Sequence, residues 1–272
     1  GDVYKRQVLY MNFNIQPINF NIANVRFKSN SNISQPKGSD LERNPKMDSF
    51  EMSIGYVNDA HGQTNNMMRI LSGIKGDLKL SAGDNDIGDE KNDAIHQATT
   101  KFLNIADIKA SALGNHEIDM SQKDCIDAIN RFNGLMLSIN FEQIPLEEQD
   151  PEDIQKYGRA DLKNHLTKSA VVEVKGEKIG LIGASPIDMM SRLTHPNYYT
   201  DCSVDDLDDT IELIQNEIDK FKEQNINKVI LVSHLGHKAD KFVAENIDGI
   251  DVIVGGHTHE LIKDIKEGEN LL

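Results

Sequence analysis

An α/β fold with largely parallel strands follows from three observations. Apolar strand-like runs alternate with amphipathic helical runs from Phe50 onward. Five of those strand-like runs break off at a glycine or at a side chain able to bind a metal or a phosphate. No internal repeat interrupts the alternation.

The elements can be justified in order. Residues 1–49 are expected to form an N-terminal arm or linker without fixed structure. Phe13, Ile15, Ile18, Phe20, Ile22 and Val25 punctuate its first part, and Ser29–Asp48 is rich in Asn, Ser, Lys and Pro. The run from Gly1 to Gln7 resembles translated adapter sequence, so residues 1–10 are read as a candidate non-native segment and Met11 as the candidate start. Met52–Val57 reads as the first strand. Thr64 can cap a helix carrying Met67, Ile70, Leu71 and Ile74. Leu78–Ala82 is the next strand. A helix follows over Asp93–Ala106, with Ile95, Ala98, Phe102 and Ile105 at helical spacing. Lys109–Leu113 is a strand, Ser121–Phe132 a helix, and Leu135–Ile139 a strand. Residues 142–167 are acidic and are expected to be an irregular, solvated excursion. Val171–Val174 and Lys178–Ile182 flank Lys175-Gly176-Glu177 as a hairpin. Residues 203–224 form the clearest helix, with Ser203 as its cap and Val204, Leu207, Ile211, Ile214, Ile218 and Phe221 on one face. Its acidic start and its Lys220 and Lys222 end match the helix dipole, so that acidic run is read as helix stabilisation. Val229–Ser233 and Asp251–Val254 are the last two strands.

Composition narrows the function. The net charge of −15, without a dense basic cluster, argues against a nucleic-acid or anionic-membrane partner. An anionic small substrate would need local positive charge, which bound metal can supply. The two cysteines, Cys125 and Cys202, stand outside any CxxC and are read as core residues. No run reaches the roughly 20 apolar residues of a membrane span. No secretory signal is visible, so a cytoplasmic location is expected, with export as the alternative. The sequence sets no oligomeric state.

The strand ends carry the chemistry. In order they present Asp59 and His61, then Asp84, then Asn115 and His116, then His234, then His257 and His259. Open α/β sheets build their sites at the carboxyl ends of strands, so these sequence-distant groups can converge. All are nitrogen or oxygen donors, a set that suits Zn, Mn, Fe or a similar divalent ion. Asp-x-His and His-x-His place both side chains on one side of an extended segment. Eight such groups exceed the four that one zinc takes, and two cations would use them. Any single histidine is more often a surface or satisfied core residue, and His96, His165, His195 and His237 are read that way.

Taken together, Asp59-x-His61-Gly62, Gly83-Asp84, Gly114-Asn115-His116-Glu117, His234 and Gly256-His257-x-His259 resemble the calcineurin-like metallophosphoesterase signature. The wider runs Asn58–Gly62, Gly83–Gly88, Gly114–Asp119 and Lys178–Gly183 resemble its bacterial 5′-nucleotidase branch. The likeness covers about residues 50–265. It implies a four-layer α/β/β/α sandwich over residues 50–272, incomplete at its C-terminal end and without the branch's C-terminal domain. It implies one cation on Asp59, His61, Asp84 and His259, and a second on Asp84, Asn115, His234 and His257. It implies His116 beside the leaving-group oxygen, with Glu117 orienting it. The implied reaction is hydrolysis of a phosphate monoester, a 5′-nucleotide first, by hydroxide held between the metals. The alternatives are a phosphodiesterase acting on cyclic nucleotides or nucleotide-sugars, and a non-catalytic metal-binding fragment.

Overall fold

The computed structural model describes residues 7–10, 22–28, 49–63, 67, 73–86 and 93–260. Two five-stranded sheets dominate it. The first runs in the order β2 (Ile22–Lys28), β3 (Ser49–Val57), β4 (Leu78–Ser81), β5 (Ala110–Ala112), β6 (Leu135–Leu137). Within it β3 to β6 are parallel, and β2 is an antiparallel edge. The second runs β1 (Gln7–Tyr10), β12 (Val252–Gly255), β11 (Val229–Ser233), β9 (Glu177–Ala184), β8 (Ser169–Val174). Here only β8 is antiparallel, closing the expected hairpin with β9.

The sheets pack face to face. Alternation along each strand decides which side chains meet between them. Ile54, Leu80 and Ala110 of the first sheet share one apolar core with Ile179, Leu181, Ile230, Val232, Val252 and Val254 of the second. The opposite faces of the same strands carry Ile182, Leu231 and Ile253. Those pack under Ile214, Ile218 and Phe221 of α5 (Leu207–Glu223) and Val243 of α6 (His237–Asn246). On the far side of the first sheet lie α1 (Asp93–Ala106) and α2 (Gln122–Arg131). The result is the α/β/β/α layering that the resemblance implied.

Several local expectations change. Gln7–Tyr10 and Ile22–Lys28, expected in an unstructured arm, are strands hydrogen-bonded to β12 and β3. Ser29–Asp48 and most of the helix expected from Thr64 lie outside the described residues. Helix α1 turns a different face inward. His96, Thr99, Thr100, Leu103 and Ala106 are buried, whereas Ile105 is 70% exposed. A polar partner explains the shift, because buried Asp86 receives the His96 ring at 2.5 Å. The long helix starts at Leu207, later than predicted. Asp206 caps it by accepting the Asp209 N–H at 3.0 Å, and Ser203 is spent in β10 (Cys202–Val204) against β7 (Phe141–Gln143). The acidic excursion is not irregular either. It holds α3 (Pro151–Tyr157), capped by Asp150, and it is pinned by fully buried Leu162 and by an Arg159–Asp201 ion pair at 3.6 Å. A further short helix, α4 (Met189–Arg192), follows β9.

Candidate metal centre

The parallel register brings the carboxyl ends of β3, β4 and β5 to one rim. Those of β9, β11 and β12 reach the same rim from the facing sheet. Short backbone bonds then fix the loops against each other. The Asp59, His61 and Gly62 N–H groups donate to the carbonyls of Gly83, Asp84 and Asn85 at 3.0, 3.0 and 2.9 Å. The His257 N–H donates to Asp59 Oδ1 at 3.0 Å, and the His116 N–H to Asp84 Oδ1 at 2.9 Å. These two bonds aim carboxylates from the first sheet at loops from elsewhere in the chain.

Backbone strain is concentrated here. Asp59, His61, Asp84, His257 and His259 have φ of 49°, 46°, 50°, 80° and 52°. They are five of the eight non-glycine residues with positive φ among the described residues. Each costs on the order of 1 kcal/mol, which the surrounding loops must offset. Two glycines are required by crowding. A Cβ at Gly114 would sit 2.2 Å from Asp84 Oδ1, and one at Gly83 would sit 2.8 Å from His234 Nδ1.

The predicted donors converge. Three groups have ligand atoms within 4.8 Å of one another: Asp59–His61–His259, His61–Asp84–His116 and Asp84–His234–His257. Asp84 belongs to two of them. Asn115, next to His116 in the loop that follows β5, is buried. The four histidines set aside fall elsewhere; His165, for example, pairs with Asn130 at 3.1 Å and His237 with Glu260 at 2.7 Å.

The donor set fits cations. His234 Nδ1 donates to the Ala82 carbonyl at 2.6 Å, which turns Nε2 toward Asp84 Oδ2 at 3.0 Å. Nε2 makes no well-formed hydrogen bond, and neither does the buried Asn115 Oδ1. Such orphaned atoms are costly unless something else satisfies them. His61 Nε2 and His259 Nε2 stand 2.9 Å apart, facing the same space. Charge follows the same logic. Burial opposes charge on Asp84, but the His234 and His116 charges hold its carboxyl well below the usual range. Burial likewise opposes charge on His234, yet Asp84, Asp59 and Glu117 raise it to about 10. The direction of that shift shows that the pocket's carboxylates favour a positive charge at this position.

One assigned role is corrected. Glu117 does not orient His116. It is buried, and its Oε2 accepts the N–H groups of Gly114 and Asp84 at 2.8 and 3.0 Å while Oε1 accepts that of Asn85 at 2.6 Å. It stitches the β4 and β5 loops together. Burial, with the Asp84 charge added, pushes its carboxyl up to about 7. The partner of His116 is Asp119, whose Oδ2 lies 2.7 Å from Nδ1. That hydrogen bond, before the opposing effect of burial, raises the His116 pKa. Asp119 is itself held, since its Oδ1 accepts the Thr194 N–H at 2.8 Å. The sequence signal is spacing: on one helical turn, position i+3 meets i, whereas Glu117 at i+1 points away.

Nitrogen and oxygen donors at the shared rim of a two-sheet sandwich define the class, a candidate metal centre. The family follows from comparison. The chain belongs to the calcineurin-like phosphoesterase family, whose sequence profile matches residues 52–261. It is 32% identical over 170 residues to a 5′-nucleotidase from Diplobatis ommata, covering 62% of this chain and 26% of that one. It is 32% identical over 248 residues to an apyrase from Anopheles gambiae, covering 80% of this chain and 40% of that one. The solved 5′-nucleotidase precursor from Thermus thermophilus superposes with a TM-score of 0.61 at 25% identity, covering 78% of this chain and 42% of that one. The chain thus spans less than half the length of these relatives.

Proposed function

We propose that this chain carries the metal-dependent centre of a phosphate monoester hydrolase acting on 5′-nucleotides. The observation that carries the reading is a chain of three donor groups, the first linked to the second through His61 and the second to the third through Asp84. Asp59, His61, Asp84 and His259 would hold one divalent cation, and Asp84, Asn115, His234 and His257 a second. When bound, two such cations supply Lewis acidity, acidifying water and neutralising phosphoryl oxygens.

The chain's own residues do the rest. The Asp119 carboxylate keeps a proton on His116 Nδ1 and stabilises the imidazolium. His116 Nε2–H is then free to donate to the leaving oxygen of the ester. Glu117 keeps the Asp84 and Gly114 loops at fixed separation, so the donors are positioned before substrate enters. The nucleotide assignment is supported by the names of the relatives, a 5′-nucleotidase and an apyrase.

The test is turnover of AMP, p-nitrophenyl phosphate and bis-p-nitrophenyl phosphate by the full chain, with and without divalent cation. Cation-dependent cleavage of the two monoesters is expected. Cleavage of the diester alone would transfer the assignment to a phosphodiesterase. Two bound cations with no turnover would leave a metal-binding module.

A further inference from the structure

A sixth strand reaches the rim, and its contribution is unassigned. Strand β9 lies beside β11 in parallel register, with Ala184 opposite Ser233. The His234 N–H donates to the Ala184 carbonyl at 2.8 Å, so the chain leaving β9 starts at the level of a donor histidine. It continues Ser185-Pro186-Ile187-Asp188 and enters α4. Asp188 Oδ1 lies 3.1 Å from His257 Nε2, and its Oδ2 lies 2.5 Å from Arg192 Nε one helical turn on. Asp188 is outside all three donor groups.

An imidazole has two nitrogens, and a carboxylate accepts a hydrogen bond only from the one that carries a proton. With Nε2–H committed to Asp188, Nδ1 keeps its lone pair. The His257 ring packs edge-on against His234 at 5.0 Å between centroids, and the pair shares a donor group with Asp84. The ring is largely enclosed, its side chain 9% exposed, so rotation to exchange the two nitrogens is hindered. Arg192 Nε donates to the other carboxylate oxygen, so the two oxygens of Asp188 face different partners. A carboxylate behind a ligating histidine sets that ligand's tautomer and basicity.

We infer that Asp188 is a positioning residue for His257: it holds the Nε2-protonated tautomer and leaves Nδ1 as the ligand atom for the cation shared with Asp84 and His234. This rests on the metal-centre reading above. The same segment also anchors the other side of the site, since Thr194 holds Asp119 behind His116.

The test is made on this chain, stripped of metal by a chelator, as wild type, Asp188→Ala and Asp188→Asn. Uptake of Mn2+ is followed by calorimetry, and the His257 tautomer by 15N chemical shifts of histidine-labelled, metal-free protein. In Asp188→Ala, one of the two Mn2+ equivalents is expected to weaken by about 10- to 100-fold while the other is unchanged. The His257 signal is expected to move from the Nε2-protonated form toward a mixture. Asp188→Asn, which keeps an acceptor oxygen, is expected to retain the tautomer and most of the affinity. Wild-type affinity for both equivalents in Asp188→Ala, or an unchanged tautomer, overturns the role of Asp188 and leaves the metal centre standing. A wild-type chain that takes up no Mn2+ overturns both. If Asp188→Ala does not fold, a shifted tautomer with weakened uptake in Asp188→Leu supports the role, and wild-type values there overturn it.

Discussion

The two sheets make unequal halves of one site. The β3–β4–β5 rim supplies the carboxylates Asp59, Asp84 and Glu117, together with Asn115, His61 and His116. The β11–β12 rim supplies imidazoles alone: His234, His257 and His259. The first half is stitched by backbone N–H groups donated to Glu117 and to Asp84. The second half is held through its ring nitrogens, by the Ala82 backbone carbonyl behind His234 and the Asp188 carboxylate behind His257. The difference shows what each half is for. Buried carboxylates are held by several donors each, whereas His234 and His257 are each aimed by one acceptor behind the ring.

Substitutions can break this contrast, and the largest effect is expected at the shared residue. Asp84→Ala removes the carboxylate common to two donor groups, so both cations and the activity should go together. A fall in kcat/KM on the order of 10³-fold or more is expected, in line with several kcal/mol of lost charge stabilisation. On the imidazole side His234→Ala should lose one cation and spare the other, which metal analysis of the dialysed protein would show. Wild-type stoichiometry in that variant would mean the halves do not divide as described.

His116→Ala should keep both cations and lose about 10²- to 10⁴-fold in rate, the usual range for a positioned acid. Glu117→Gln should act on stability before chemistry. One acceptor oxygen becomes an NH2 facing backbone donors, which costs about 1–3 kcal/mol and lowers the urea midpoint. The smallest change expected is a shift along the pH axis. The Asp119 bond raises the His116 pKa, so the charged form persists to higher pH and is lost as pH rises through that value. In Asp119→Asn the alkaline limb of the kcat profile should move to lower pH. An unmoved limb would remove His116 as the titrating acid.

Much of this is legible in the sequence because strand ends are punctuated. Gly-Asp, Gly-Asn-His and Gly-His-x-His each follow an apolar run, and parallel strand direction then brings those ends to one rim. Pairing between side chains is not legible in the same way. Glu117 adjoins His116 in sequence but turns toward the backbone of a neighbouring loop. Asp188 follows Pro186 and Ile187, and no motif marks it. Helix α1 reads on the wrong face because an apolar stripe at Ile95, Ala98, Phe102 and Ile105 outweighs His96, whose partner Asp86 lies in a separate loop. The strands at Gln7–Tyr10 and Ile22–Lys28 lack turn signals of their own, and only the edges they pair with define them.

The central claim is that one carboxylate joins two cation positions. It is tested most directly by counting divalent cations per chain, by elemental analysis after dialysis, in wild type and in Asp84→Ala. The account predicts two in the wild type and none in the variant. One cation or none in the wild type, or two retained without Asp84, would contradict it.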